Sequence, residues 1–334
     1  MRNAKLLVQA LRNPAAVENC DWAGLISAAR AEQLIGSLAF RMEGRVLPSR
    51  VAAAFEAARQ DAAQARTQAL WEAEMARRAL APLGVPVILM KGTAFHAAGF
   101  EAGIGRSVGD LDIMVPHARL DEVEAALIDA GWERVKDSEG YDDVYYRRWM
   151  HELPPLIHRT RDRMIDVHHT ILPLTAGPKP DAASLIAESV ALESGLRVLS
   201  PADIIVHAAA HLLADGDLAG GLRNLWDIDR LLREFAAADP DFWTKLGTRA
   251  ERHQLRPAVR RAARLANDLY GTPLPAGWRA WRPSDALFRA RLLARNGWGQ
   301  ERRKWLRFAF YIRSHWLRMP PLMLARHLWI KATR

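Results

Sequence analysis

Cysteine is nearly absent: Cys20 is the single one in 334 residues. No disulfide can form within the chain, which fits a reducing compartment, and a lone cysteine reads as a small buried apolar residue rather than a nucleophile. Long apolar runs are missing too. No uninterrupted segment reaches the ~20 residues of a membrane span, and the opening Met1-Arg2-Asn3-Ala4-Lys5-Leu6-Leu7 carries charges without the continuous apolar stretch of a signal peptide. The expected location is therefore the cytoplasm, with peripheral contact at the inner face of the membrane as a further reading. No segment repeats. Acidic residues are outnumbered, 38 Asp and Glu against 47 Lys and Arg, for a formal net charge of +9. That excess favours anionic partners such as nucleotides, nucleic acid or an acidic membrane surface, without choosing among them.

Half the residues are hydrophobic and a quarter charged, the composition of a globular protein. Residues 4–46 read as short amphipathic helices broken near Asn13-Pro14 and Asn19-Cys20-Asp21. From Pro48 to Ala81 an alanine-rich stretch without internal Gly or Pro predicts one long helix, with Pro48 in its first turn and Pro82 and Gly84 at its stop. The pattern then changes. Val85 to Met90 predicts a buried strand, Thr93 to Phe100 a helix with Thr93 as its N-cap, and Gly99 to Gly109 a glycine-rich loop. Leu111–Val115, Trp132–Val135 and Met164–His168 read as strands, Leu120–Ala130 as a helix, and Val144–Trp149 and Leu156–His158 as weaker strands. A linker with Gly177, Pro178 and Pro180 follows, and everything from Ser184 on reads as helical with breaks. The expected domains are an N-terminal helical segment (1–84), a small mixed α/β core (85–175) and a C-terminal helical domain (176–334).

The chemistry sits in the core. Asp110 and Asp112 are two apart at the start of an apolar run, so on a strand they project to one face. Two such carboxylates repel unless a cation lies between them, and hard divalent cations take oxygen ligands. Magnesium is the natural occupant, and phosphates its usual company. Lys91-Gly92-Thr93 lies at a strand-to-helix junction, where glycine admits close backbone approach and the helix start offers N–H groups to a phosphate. Asp166 is an isolated acid with parity opposite to Ile165 and Val167, so it faces away from the core.

A glycine turn, paired aspartates and a third strand acid in this order resemble the polymerase-β-like nucleotidyltransferases. More closely, the chain resembles the bacterial uncharacterised nucleotidyltransferase family. Lys91-Gly92, Arg106, Asp110-Leu111-Asp112 and Asp166-Val167-His168 match its pattern, and Pro201-Ala202-Asp203 through His207 and His211 to Arg223 and Asp227 resembles its helical segment. The resemblance covers residues 30–240. Two departures stand out. The superfamily's Gly-Ser is Gly92-Thr93 here, and the spacing from Gly92 to Asp110 is longer than in its minimal members.

The resemblance implies an α+β fold, a small mixed sheet with helices flanked by N-terminal helices and a helical C-terminal domain. It implies an NTP-dependent, Mg2+- or Mn2+-assisted transfer of a nucleoside monophosphate, ATP among the candidate donors, to an acceptor hydroxyl on a small molecule, a protein or RNA. Asp110 and Asp112 would ligate metal, Asp166 would ligate it and help deprotonate the acceptor, Gly92 and Thr93 would hold the β- and γ-phosphates, and Lys91 and Arg106 would neutralise charge on the triphosphate. Each residue also has a plainer reading. Arg106 either contacts phosphate or pairs with Asp110, and His168 either orients Asp166 or packs. Arg223 and Asp227 form a helix pair or line the cleft. His207 and His211 have the spacing of zinc ligands, but Ala208 stands where a zinc protease has Glu, and the structural reading is preferred.

Two rival functions fit parts of the pattern. One is a metal-dependent phosphohydrolase built on His207, His211 and aspartates, which lacks an adjacent His-Asp doublet and leaves Lys91-Gly92 unexplained. The other is a non-catalytic nucleotide- or membrane-binding module on the same scaffold. The basic, aromatic run Trp305 to Met319, continued by apolar positions from Leu322 to Ile330, reads as an amphipathic helix packed on the helical domain with its arginines in water, or as one lying on an anionic membrane.

Overall fold

A computed structural model describes residues 2–17, 20–135, 146–319 and 324. Three helices open the chain, α1 (Arg2–Arg12), α2 (Trp22–Ala31) and α3 (Ile35–Arg41). Asp21 caps α2 by accepting from the Gly24 N–H at 2.9 Å. The long α4 runs Ser49–Leu80 as one piece; Pro48 is its N-cap rather than part of its first turn, and Gly84, at φ 63°, closes the turn that follows. Along α4 Val51, Phe55, Ala58, Ala62, Ala69, Ala73, Ala76 and Leu80 are buried, a stripe at helical spacing whose alanines let the helix lie close on the core.

The centre is a mixed sheet of β1 (Ile88–Leu89), β2 (Leu111–Met114), β3 (Trp132–Arg134), β4 (Leu156–His158), β5 (Met164–His168), β6 (Val190–Ala191) and β7 (Arg197–Val198), in the order β3-β4-β5-β2-β1-β7-β6. Helices α5 (Lys91–Ala97) and α6 (Leu120–Asp129) connect strands within it. The remaining helices are α7 (Ala182–Ala187), α8 (Pro201–Ala210), α9 (Gly221–Ala238), α10 (Phe242–Arg252), α11 (Arg256–Tyr270), α12 (Asp285–Leu292) and α13 (Lys304–Arg318), with a π-turn at His211–Asp215 after α8. Buried apolar residues from Ala4 to Phe310 form one continuous core. The fold is α+β, the small mixed sheet with helical flanks that the resemblance implies.

Several local expectations need correction. β1 is two residues, not six: Pro86 has no N–H for a ladder, and Met90 is taken up as the N-cap of the helix that follows. α5 begins at Lys91, with Met90 as N-cap, so Thr93 lies inside the helix and caps nothing. Residues 146–149 form a helical turn instead of a strand, while residues 144 and 145 lie outside the described residues. The region after Ser184 is not all helix: β6 and β7 make an antiparallel pair, and β7 joins the sheet parallel to β1. On α13 the buried face is Leu306, Phe310 and Ser314. Trp305, Phe308, Tyr311, Ile312 and Trp316 are exposed, and Arg313 is turned inward, donating to the Leu213 carbonyl at 2.6 Å and stacking over Phe288. The expected division into apolar side inward and arginines in water thus holds only in part: Leu306 and Phe310 are buried and Arg307 exposed, while five large apolar side chains face out and Arg313 faces in. The apolar positions 322, 323 and 328–330 lie outside the described residues.

The glycine-rich loop has a defined path against α3. A Cβ on Gly36 would stand 2.3 Å from the Gly105 carbonyl oxygen, and Gly105 itself has φ 70°. Ser37 Oγ donates to the Ile104 carbonyl at 3.1 Å. Two glycines therefore let the N-terminal helices clasp the loop that delivers Arg106 and Asp110.

Candidate active site

β2 and β5 are parallel neighbours, and Asp112 and Asp166 stand directly opposite each other in their register. Their side chains share a face, and Asp110 joins them from just before β2. A carboxylate oxygen from each of the three lies within 4.8 Å of the other two. Strand parity thus brings the three carboxylates together. Asp110 is exposed, Asp166 half-buried and Asp112 buried, so the triad descends from solvent into the core.

Asp112 is held by two cationic or polar partners on one oxygen. Lys91 Nζ donates to Asp112 Oδ1 at 2.5 Å and His168 Nε2 donates to it at 2.9 Å. Burial opposes its charge, but the Lys91 ammonium and the His168 hydrogen bond hold its carboxyl below the usual range. The same pair keeps Lys91 protonated: burial pulls its pKa down, and Asp112 more than offsets this. Lys91 reaches this position from a left-handed backbone, φ 48°, uncommon for a residue with a Cβ. Asp166 is the opposite case. Burial, then the charges of Asp112 and Glu152, push its carboxyl up to about 7, and its Oδ1 is buried without a hydrogen-bond partner. An orphaned carboxylate oxygen facing two other carboxylates is the environment that a divalent cation satisfies. The all-oxygen donor set suits magnesium or manganese over softer ions.

With Asp166 beside them on the neighbouring strand, Asp110 and Asp112 line a cleft of about 780 Å3, within the size range of small-molecule sites. Its walls come from all three stretches of the chain: Glu32 and Gln33 from the N-terminal helices, Lys91, Gly92 and Arg106 from the core, and His211, Arg223 and Arg295 from the C-terminal helices. Arg106 packs onto Gly92 so closely that a Cβ there would stand 1.9 Å from Nη1. Its Nε donates to Asp227 at 2.9 Å, so the expected alternative pairing with Asp110 does not occur; the loop turns Arg106 toward α9. Arg223 lies 3.5 Å from the other Asp227 oxygen and donates to the Gln33 and Ser107 carbonyls. Two guanidinium groups thus share one carboxylate. Burial, then the nearby Arg106 charge, lowers the Arg223 pKa to about 10. The surplus positive charge at this end of the cleft is suited to an anion.

Other residues singled out from the sequence fall as follows. Thr93 is buried, its Oγ1 has no partner, and it does not line the cleft. His168 contacts Asp112, not Asp166. His207 is buried behind Lys91, and together with His211, Phe95, Arg106 and Asp227 it lines a small inner pocket. Burial, then the Lys91 charge, keeps both histidines neutral, His211 at about 4. Among the described residues the groups able to hold a metal are Asp110, Asp112 and Asp166, and His151, Glu152 and His168; neither includes His207 or His211. Cys20 is half-buried, and burial and Asp21 push its thiol up, away from nucleophilic use. Glu32, Arg295 and Glu152 carried no sequence signal, because each reaches the site by contacts between segments far apart in the chain.

The model of a family described as uncharacterised nucleotidyltransferase matches residues 18–271, a wider span than the motifs alone covered. No curated protein matches the chain.

Proposed function

The chain belongs to the uncharacterised nucleotidyltransferase family, and from that premise we propose that it moves a nucleoside monophosphate from a triphosphate to an acceptor hydroxyl on a polymerase-β-like core. The observation that carries this reading is a cluster of three carboxylates, one with an orphaned buried oxygen and two lining a cleft, beside cations that share too few anions. Asp110, Asp112 and Asp166 would hold a divalent cation, Mg2+ or Mn2+, which when bound offsets the charge developing on the phosphate oxygens.

The protein's own groups do the rest. Lys91, Arg106 and Arg223 draw the triphosphate into the cleft and orient it, a preorganised electrostatic role. Gly92 lets the phosphate chain approach the backbone. The acceptor oxygen attacks the α-phosphorus, the new O–P bond forms as the bond to the bridging oxygen breaks, and pyrophosphate leaves. The acceptor's proton passes to Asp166, the general base. His168 positions Asp112 and does not touch substrate.

Incubation with each α-labelled triphosphate, Mg2+ and cell extract tests this, comparing the wild type with Asp110→Ala/Asp112→Ala. Label on an acceptor is expected with the wild type alone; equal labelling by the two proteins sinks the mechanism.

A second partner is proposed on a separate observation. No helix among the described residues is long and apolar enough to cross a membrane, yet Trp305, Phe308, Tyr311, Ile312 and Trp316 stay exposed along the basic α13. Such a face suits the interfacial layer of an anionic bilayer, which supports peripheral contact with a membrane. Flotation with anionic vesicles should be lost in Trp305→Ser/Phe308→Ser/Trp316→Ser; retention would refute it.

A further inference from the structure

On the side of Asp112 reached through His168 lies a second cluster of ligating atoms: a ring nitrogen of His151, a carboxylate oxygen of Glu152 and a ring nitrogen of His168, all within 4.8 Å of one another. We propose that these three residues bind one zinc ion, in a site separate from the carboxylate triad.

The backbone builds the cluster rigidly. Glu152 and His168 face each other across an antiparallel bridge, and the His169 and Leu153 N–H groups donate at 2.9 Å to the His151 and Val167 carbonyls. The spacings are those of a metal polyhedron more than of a hydrogen-bond network. His168 Nδ1 lies 3.4 Å from Glu152 Oε2, and His151 Nε2 lies 3.7 Å from the same oxygen. Ligand atoms bonded to tetrahedral zinc at about 2.0–2.1 Å stand about 3.3–3.4 Å apart. His168 is 1% exposed and its Nδ1, the nitrogen beside Glu152, has no hydrogen-bond partner. Leaving such a nitrogen unmatched costs stability unless something binds it.

The tautomer fits as well. His168 Nε2 donates to Asp112 Oδ1 at 2.9 Å, which commits the ring proton to Nε2 and turns the Nδ1 lone pair toward Glu152. A histidine ligand whose other nitrogen donates to a carboxylate is the usual outer arrangement of a zinc site. Two imidazoles and a carboxylate favour zinc over magnesium. Three protein ligands leave a fourth position, and Glu152 also borders a separate hollow of about 180 Å3 with His117, Tyr146 and His169. The site's existence does not depend on the transfer reaction proposed above.

The test uses tag-free full-length protein dialysed against Zn2+, passed over chelating resin and analysed for metal by mass spectrometry. One zinc per chain is expected in the wild type and in Asp110→Asn/Asp166→Asn, and none in Glu152→Gln with an unchanged circular dichroism spectrum. No zinc in the wild type overturns the proposal, as does zinc lost from the aspartate variant but kept in Glu152→Gln. Because misfolding of Glu152→Gln would also release zinc, His151→Cys loaded with Co2+ provides a positive reading. A thiolate-to-cobalt charge-transfer band in the near ultraviolet is expected, and its absence from folded, cobalt-exposed protein also overturns the assignment.

Discussion

Replacing Asp166 by asparagine should make the metal-free protein more stable while ending its activity. In the folded chain burial and the charges of Asp112 and Glu152 raise the Asp166 pKa from 3.8 to about 7. The folded state therefore holds this proton more tightly than the unfolded state does. Between those two values, stability contributed by the group falls as pH rises, the reverse of an ion-paired aspartate. Each unit is worth about 1.4 kcal/mol, so relative to acid pH the shift lowers stability by about 2 kcal/mol at pH 5, where the folded state still holds the proton, and by about 4 kcal/mol at pH 8, where it is charged. The asparagine side chain has nothing to titrate. Urea denaturation in EDTA should then show the stability of Asp166→Asn relative to wild type rising by about 2–3 kcal/mol from pH 5 to pH 8. Saturating Mg2+ should restore the wild type through preferential binding to its folded state and leave the variant behind. A stability difference that stays flat with pH in EDTA would refute the reasoning, because it would mean that Asp166 is not held against neighbouring charge.

Lys91→Met removes the ammonium from the buried Asp112. Breaking a buried pair costs about 3–5 kcal/mol, and the 25% exposure of the Lys91 side chain reduces the expectation to about 2–3 kcal/mol at pH 7. Because the pair holds Asp112 below its ordinary 3.8, that deficit should shrink as pH falls below about 4; thermal melts at pH 7 and pH 3.5 check it. Gly92→Ala forces Arg106 off its seat, since the new Cβ would lie 1.9 Å from Nη1 and 2.7 Å from Val108. Stability should fall by about 1–3 kcal/mol and transfer by on the order of a hundredfold, read in the labelling assay. Arg249→Ala is the structural contrast. Arg249 pairs in two 2.7 Å bonds with fully buried Asp203, so the variant should lose about 3–5 kcal/mol yet keep its per-molecule transfer rate at low temperature.

The long α4, the strand of the paired aspartates and the Asp166 strand were legible because each is encoded locally: an unbroken alanine-rich run, and apolar alternation interrupted by acids. The carboxylate triad was legible because strand parity fixes the face of Asp110, Asp112 and Asp166. What lay beyond the sequence is long-range. The two-residue strands β6 and β7 are too short to show a period, and β7 is a strand by virtue of pairing with β1. Arg106 chose Asp227 over nearby Asp110 because the clasp between Gly36 and Gly105 turns the loop toward α9. His168 serves Asp112 because β5 lies parallel to β2, a register no local pattern discloses. His151 and Glu152 meet His168 across a single bridge between segments sixteen residues apart in sequence numbering (Glu152 and His168), with nothing in their own neighbourhood to announce it.

The central claim is that the α-phosphoryl group, with its nucleoside, is what the protein transfers. The most direct measurement supplies the four triphosphates labelled either at the α- or at the γ-phosphate to the wild-type protein with Mg2+ and cell extract. Label should reach an acceptor from the α-position alone, with γ-label released as pyrophosphate. Acceptor labelled from the γ-position, or γ-label released as inorganic phosphate with nothing transferred, would contradict it.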